Sequence, residues 1–369
     1  MQKKIRLSRH EKKITCLMVF GGNSDEHFVS VHTAITFIRY LWDSPVISIQ
    51  PFYISRTGNY YLIDRSELIK ISDSFFFNEE DLEKQICFIY STSSNNLEIY
   101  RESQNKITFD VIFPVILGNT GEDGTIYNFF RLLGQKVVGP RAVISAILFD
   151  KILSKAIFEY LGFCALPYYV PRPSDTASEV AKYIKDRIKF PCVIKPASQG
   201  SSIGLSVCKI EEELSELLVK AYQFSDFIII EPFEKVTELF CYTWRQNNNI
   251  RTSSITSVKP VGDVYDFDQK YIAYSSVEFD KYDDSSDISK SLRIKSEKLY
   301  DKLDGNGIWR VDFFKNTQGD VFINEVNTMP AFVNVFGRDH PLNMNGNSMM
   351  DILEDLILSC LQPISPAIH

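Results

Sequence analysis

A largely apolar run of seven residues, Ile14–Phe20, ends at Gly21-Gly22 and is followed by a helical pattern over Asp25–Leu41, opened by the polar cap region Asn23-Ser24. A second buried run, Asp110–Leu117 (DVIFPVIL), also leads straight into a glycine-rich turn, GNTGEDGT. Strand, glycine turn and helix in that order suit a parallel sheet, because each parallel strand needs a crossover connection before the next. The expected fold class is therefore α/β, with a Rossmann-like parallel sheet over residues 1–139. Between the two runs, PFYISRTGNYYLI reads as two strands joined by a turn at Thr57-Gly58-Asn59. Residues 70–105 read as a polar insertion outside the core, with STSSNN as its clearest loop.

A second unit, 140–231, begins at Gly139-Pro140. It carries a helix over Arg141–Leu161, a strand-like PYYVP, and PCVIKPASQGSSIGLSVCKI, which reads as strand, Gly/Ser-rich turn and strand. The turn is thus a hairpin lid rather than a helix start, and FIIIE at 227–231 adds a further buried strand. The third unit, 232–369, has an α+β character: antiparallel-looking strands, the polar stretch Asp280–Ser291, a helix, and strands at 308–314 and 320–325.

Composition narrows the function classes. Hydrophobic residues make up 44% and charged residues 24% of 369, which excludes a disordered chain. Forty basic against 47 acidic residues give a net charge of -7, which argues against a nucleic-acid partner. The basic start MQKKIRLSRHEKK lacks the long apolar region and small-residue cleavage site of a signal peptide. No stretch approaches the ~20 apolar residues that span a bilayer, so no membrane partner is expected. Seven cysteines stand singly, without a C-x-x-C pair, and five histidines show no H-E-x-x-H spacing. Reduced thiols in a cytoplasmic enzyme without zinc are the expectation.

Three groups of residues carry candidate chemistry. Arg310-Val311-Asp312 and Asn324-Glu325-Val326-Asn327 flank the turn Asn316–Asp320, so a hairpin can set Asp312 beside Glu325. Glu325 and Asn327, two apart, share a face. Two carboxylates and an amide oxygen suit a hard cation such as Mg²⁺ that also binds phosphates, although a solvated hairpin face has the same composition. The loop Gln199–Gly204 can cradle phosphate oxygens with its N–H groups and the hydroxyls of Ser201 and Ser202, or can be a tight turn without a ligand. It lacks the G-K-[ST] ending and following helix of a Walker A loop. Lys151 at a helix start and Lys195 at a strand end can meet the same phosphates, or be solvated surface.

These groups occur in one order: lysine, lysine with a Gly/Ser loop, strand ending in Glu, then the Asp/Glu/Asn set. Together with GGNSDEHFVS at 21–30, GEDGT at 121–125, FDK at 149–151, VIKPASQGSSIG at 193–204, IIEPF at 229–233, YDFDQKY at 265–271, RVDFF at 310–314 and NEVNTMP at 324–330, the chain resembles an ATP-grasp ligase, specifically the D-alanine–D-alanine ligase family. The resemblance implies ATP held between two lobes. Lys151, Lys195 and Lys270 would be at its phosphates beside Ser201 and Ser202, with the Glu231–Phe233 strand exit at the adenine and Glu238 at the ribose. Asp312, Glu325 and Asn327 would hold two Mg²⁺ ions, with Mn²⁺ as the alternative. The implied reaction is attack of an amino-acid carboxylate on the γ-phosphate, then displacement of phosphate from the acyl phosphate by a second amine, with Arg310 at the reacting groups. Glu26 would pair with the first substrate's ammonium, in a set with Ser201 and Tyr271. The implied substrates are small amino acids, D-alanine by default. The implied setting is a cytoplasmic homodimer in peptidoglycan precursor synthesis, cell-wall biogenesis and maintenance of cell shape.

Three positions depart from the family pattern, all on the amino-acid side. Leu117 stands where the family has His, Ala331 where it has Gly, and Phe336 where it has a Ser that binds the second carboxylate. A gap in the alignment would bring Arg338 or His340 to that last role. The departures imply a different or more apolar acceptor, or weaker D-alanine dimerisation. The alternatives are therefore a related ligase with another acceptor, a cyclising ligase of specialised metabolism, or an ATP-binding relative without turnover.

Overall fold

The computed structural model describes residues 12–64, 67–68, 86–91, 96–101, 106–259, 278–332 and 348–362. The first sheet is built on β1 (Ile14–Gly21), whose neighbours are β2 (Ile47–Ile54) and, later in the chain, β7 (Val111–Val115), both parallel to it. β3 (Tyr60–Leu62) returns antiparallel to β2 after the turn at Gly58, giving the order β3-β2-β1-β7. The parallel sheet expected from the sequence is thus present, with an antiparallel edge. Gly21 closes β1 at φ +92°, and a Cβ there would stand 2.2 Å from the Ile54 carbonyl oxygen, so the turn requires glycine.

Helix α1 (His27–Leu41) follows and turns Ala34, Ile35, Ile38 and Leu41 toward the sheet. It begins two residues later than Asp25, with Glu26 at its N-cap position but forming no capping bond. The segment read as an insertion differs from expectation. β4 (Ile86–Ser91), β5 (Asn96–Arg101) and β6 (Lys106–Ile107) form a three-stranded antiparallel sheet, and Leu97 and Ile99 are buried against Leu17 and Val19. Two apolar residues at period two inside a polar stretch suffice to anchor a strand. Four of the six STSSNN residues, 92–95, lie outside the described residues.

After α2 (Thr125–Leu132), the single helix expected over Arg141–Leu161 is two: α3 (Ala142–Phe149) and α4 (Lys151–Tyr160). Asp150 breaks the run with ψ 115°, and its carboxylate accepts from the N–H groups of Ile152 and Leu153 at 2.8 and 3.0 Å. The break starts a new helix at Lys151, so that residue projects from a helix N-terminus rather than from mid-helix. PYYVP contributes one isolated bridge, Tyr169 to Ile230, rather than a strand.

α5 (Ala177–Tyr183) and α6 (Leu214–Tyr222) back a small antiparallel sheet of β8 (Cys192–Pro196), β9 (Ser206–Cys208) and β10 (Ile228–Pro232) in the order β10-β8-β9. The hairpin reading of the Gly/Ser loop is correct. The sequence spacing hid one pairing: Cys192 and Cys208, sixteen residues apart, are direct cross-strand partners, both fully buried.

The largest sheet joins β11 (Val236–Gln246), β12 (Asn249–Thr252), β13 (Thr256–Lys259), β14 (Glu278–Lys281), β15 (Ile308–Asn316) and β16 (Val321–Asn327). α7 (Asp287–Lys302) covers one face together with α3 and α4, through Leu292, Leu299, Ile144, Leu148 and Phe158. α8 (Met349–Leu361) packs Ile352, Leu353 and Leu356 back into the core of the first sheet. Among the described residues no helix is long and apolar enough to cross a membrane.

Candidate active site

Three of the four sheets border one cleft that is open to solvent. Glu26, Leu117, Lys151, Lys195, Ser201, Ser202, Glu231, Phe233, Glu238, Arg310, Asp312, Glu325, Asn327 and Ala331 all line it. Positions as distant in sequence as Glu26 and Ala331 thus meet at one site. Lys270, Tyr271, Phe336, Arg338 and His340 lie outside the described residues.

Glu26 is held between two loops. Ser201 Oγ donates to its Oε1, while Gly118 and Gly200 approach it closely enough that a Cβ at either would stand 2.6 or 2.7 Å from Oε2. Ser24 Oγ donates to the Leu117 carbonyl at 2.8 Å, which fixes the start of α1 against the turn after β7. Glu26 therefore joins the first sheet to the lid loop instead of serving its helix. The loop itself is tightly wound: Ser201 and Ser202 both have positive φ (54° and 61°), and Ile203 N–H bonds to the Gly200 carbonyl at 3.0 Å. Consecutive left-handed residues turn their N–H groups to one side, an arrangement able to receive an anion.

Lys151 lies against this loop from the other side. Its ammonium donates to the Gln199 carbonyl, and its backbone N–H bonds to the Ala197 carbonyl at 2.9 Å. Lys195 Nζ stands 2.5 Å from Glu231 Oε2, and Lys155 Nζ stands 2.6 Å from the other oxygen. Burial opposes the charge on Glu231, but Lys195 and Lys155 outweigh it and hold its pKa down to about 2. The pairing gives the Glu231 carboxylate a second task beyond the strand-exit position expected of it. Lys155 was not singled out from the sequence; its spacing four residues after Lys151 was the available signal.

The hairpin of β15 and β16 forms the expected register. Asp312 faces Glu325 and Arg310 faces Asn327, with a bulge after Asp312. Arg310 donates to both Asp312 oxygens, from Nε at 2.8 Å and Nη2 at 2.7 Å, and Asn327 Nδ2 donates to Oδ2 at 3.2 Å. Burial disfavours the guanidinium charge, yet Asp312 beside it raises the Arg310 pKa well above its ordinary value. No cluster of three or more His, Cys, Asp or Glu with metal-binding geometry occurs among the described residues, and the Asn327 amide oxygen is the further oxygen donor on this hairpin beside Asp312 and Glu325. The hard oxygen donors fit a divalent cation, with Arg310 now neutralising Asp312.

Seven carboxylates among the described lining residues (Glu26, Glu122, Glu231, Glu234, Glu238, Asp312 and Glu325) face three cations, Lys151, Lys195 and Arg310. The described lining is therefore richer in acidic than in basic side chains. Glu122, the Glu of GEDGT, was also missed as a site residue. Burial and the charge of Glu26 push its pKa up to about 8, against the Gly118 N–H bond at 3.0 Å.

Apolar side chains complete the cleft. Leu166, Val193, Phe233, Leu239 and Phe313 are among its apolar lining residues. Leu117, Phe240, Tyr242, Met329 and Ala331 line it as well, and the Arg310 guanidinium is 5.6 Å from the Phe240 ring centre. Tyr242 is fixed by stacking on Phe332 at 5.3 Å.

Comparison with known proteins gives consistent matches. A family model described as D-ala D-ala ligase N-terminus matches residues 15–140, and one described as D-ala D-ala ligase C-terminus matches residues 157–358. A D-alanine–D-alanine ligase of Lactococcus lactis subsp. cremoris is 30% identical over 350 residues, covering 94% of this chain and 95% of that protein. One from Prochlorococcus marinus is 34% identical over 326 residues, covering 85% of this chain and 90% of that protein. The solved D-alanine–D-alanine ligase of Coxiella burnetii superimposes with a TM-score of 0.80 at 22% identity, covering 95% of this chain and 94% of that one.

Proposed function

The chain belongs to the D-alanine–D-alanine ligase family, whose fold is ATP-grasp and whose members are ATP-dependent ligases, and from this premise we propose that it joins two D-alanine molecules through an acyl phosphate. The convergence of the Glu26–Ser201 contact, the Lys151–loop contact and the Arg310–Asp312–Glu325–Asn327 hairpin in one cleft carries this reading.

On this proposal the nucleotide lies with its base near Phe233 and its ribose at Glu238. Its phosphates lie among Lys151, Lys195, Lys270 and the N–H groups of the Ser201–Ser202 loop. Asp312, Glu325 and Asn327 would hold Mg²⁺, which would supply neutralisation of phosphate charge. Glu26 receives the ammonium of the first amino acid and orients its carboxylate toward the γ-phosphate. Ser201, together with Tyr271, keeps the loop closed over it and excludes water. Arg310, beside Asp312, is placed to stabilise the negative charge that grows as the second amine attacks the acyl phosphate. The work is positioning and charge neutralisation rather than general-base catalysis. The division into units 1–139, 140–231 and 232–369, a homodimeric state and a cytoplasmic role in cell-wall and cell-shape maintenance belong to the same proposal.

The apolar wall formed by Leu117, Phe240, Tyr242, Met329 and Ala331 favours one second reading, a ligase whose acceptor is more apolar than D-alanine. Phosphate release with ATP, Mg²⁺ and a panel of D- and L-amino acids, with mass spectrometry of products, separates the two. Release with D-alanine alone and a dipeptide product supports the first, and release confined to another acceptor supports the second. No release with any amino acid overturns both.

A further inference from the structure

The ion triad at the base of the cleft contains one member outside the cleft wall. Glu231 is 2% exposed, and its two carboxylate oxygens are shared between Lys195 and Lys155. Lys195 and Glu231 line the cleft, whereas Lys155, on α4 one turn after Lys151, is not among the lining residues. It is 2% exposed, its Nζ lies 5.5 Å from the centre of the Tyr168 ring, and it approaches the Leu166 carbonyl at 3.5 Å. A solvated surface lysine is excluded by that burial, and its ammonium stands behind Glu231 rather than among the described lining residues of the cleft.

Two ammonium groups on one carboxylate leave an excess positive charge. A buried carboxylate stripped of its counter-ion is strongly disfavoured, more so beside an incoming polyphosphate of the same sign. With Lys155 in place, Lys195 can turn to a phosphate while Glu231 remains neutralised. With Lys155 absent, Lys195 becomes the counter-ion of Glu231 and is retained by it. We propose that Lys155 is a positioning residue for nucleotide binding: by holding the Glu231 carboxylate it frees the Lys195 ammonium for the nucleotide phosphates. This rests on the reading of the cleft as a nucleotide site.

The test is equilibrium binding of adenylyl imidodiphosphate with Mg²⁺, followed by calorimetry without amino acids, on the full chain and three variants: Lys155→Met, Glu231→Gln and the double substitution. Lys155→Met should weaken binding by about tenfold or more when Glu231 is present. In the Glu231→Gln background, where no buried charge awaits a partner, the same substitution should change Kd by less than about twofold. In turnover, KM for ATP should rise while kcat at saturating ATP changes less. Equal affinity of wild type and Lys155→Met overturns the proposal, as does an equal loss in both backgrounds, the signature of a packing role. If Lys155→Met does not fold, Glu231→Gln and the double variant decide: equal affinity of those two supports the proposal and a further loss in the double variant overturns it. Absence of binding by the wild type overturns the nucleotide-site reading itself, whereas binding with no coupling overturns this proposal alone.

Discussion

Alanine at position 200 tests whether the lid loop and Glu26 act as one unit. A Cβ on Gly200 would stand 2.7 Å from Glu26 Oε2, 3.0 Å from Oε1 and 3.1 Å from Cδ, all inside ordinary contact distance. The clash is with the far end of a flexible side chain, so the carboxylate moves and the backbone does not. The displaced carboxylate loses the Ser201 hydroxyl, a hydrogen bond to a charged group worth ~1.5–3 kcal/mol. The expected result is a fall of about 10- to 150-fold in kcat/KM for the first amino acid. Folding stability should change by less than about 0.5 kcal/mol, since no backbone strain or core cavity is created. The assay is initial-rate phosphate release against D-alanine at saturating ATP, with thermal unfolding and nucleotide-analogue binding as controls. An unchanged kcat/KM in a folded protein refutes the coupling of loop and Glu26. A matching loss of nucleotide affinity would show instead that the loop itself had been disrupted.

Three further outcomes follow from the same geometry. Glu231 has its pKa lowered from 4.5 to about 2, so its stabilisation is full above the unfolded value and is lost as pH falls through that window; at 1.36 kcal/mol per unit this is about 3 kcal/mol. Denaturant titrations at about pH 6 and about pH 2.5 should show a shallower acid loss for Glu231→Gln than for wild type, and parallel losses would refute the assignment. Asp150→Ala removes the cap that starts α4 and should cost ~0.5–2 kcal/mol, read as a lower denaturation midpoint; an unchanged midpoint would show that the bond from the Lys151 N–H to the Ala197 carbonyl holds the helix start without it. Glu325→Ala should abolish turnover while leaving the fold intact, and retained activity at ordinary Mg²⁺ concentration would refute the metal assignment.

Much of the site was legible because its chemistry is written in short runs. RVDFF and NEVNTMP, joined by an obvious turn, specify the strand register that sets Asp312 opposite Glu325. VIKPASQGSSIG specifies a hairpin because β-branched residues flank a turn too short and too polar to be a helix. What failed were features decided by contact rather than pattern. The helix break at Asp150 depends on a side chain choosing its own backbone over continued helix. Leu97 and Ile99 anchor a strand in a stretch whose composition reads as loop.

The sequence by itself determined the family, the α/β class and the identity of most of the polar groups that line the cleft, because periodicity and short motifs survive as local order. Only the tertiary structure decided which of those groups share charge. Glu26 with Ser201, Lys155 with Glu231, and Arg310 with Asp312 are pairings of side chains whose burial raises the cost of standing alone. That cost is set by the surrounding protein, drawn from segments far apart in the chain, and no local pattern encodes it.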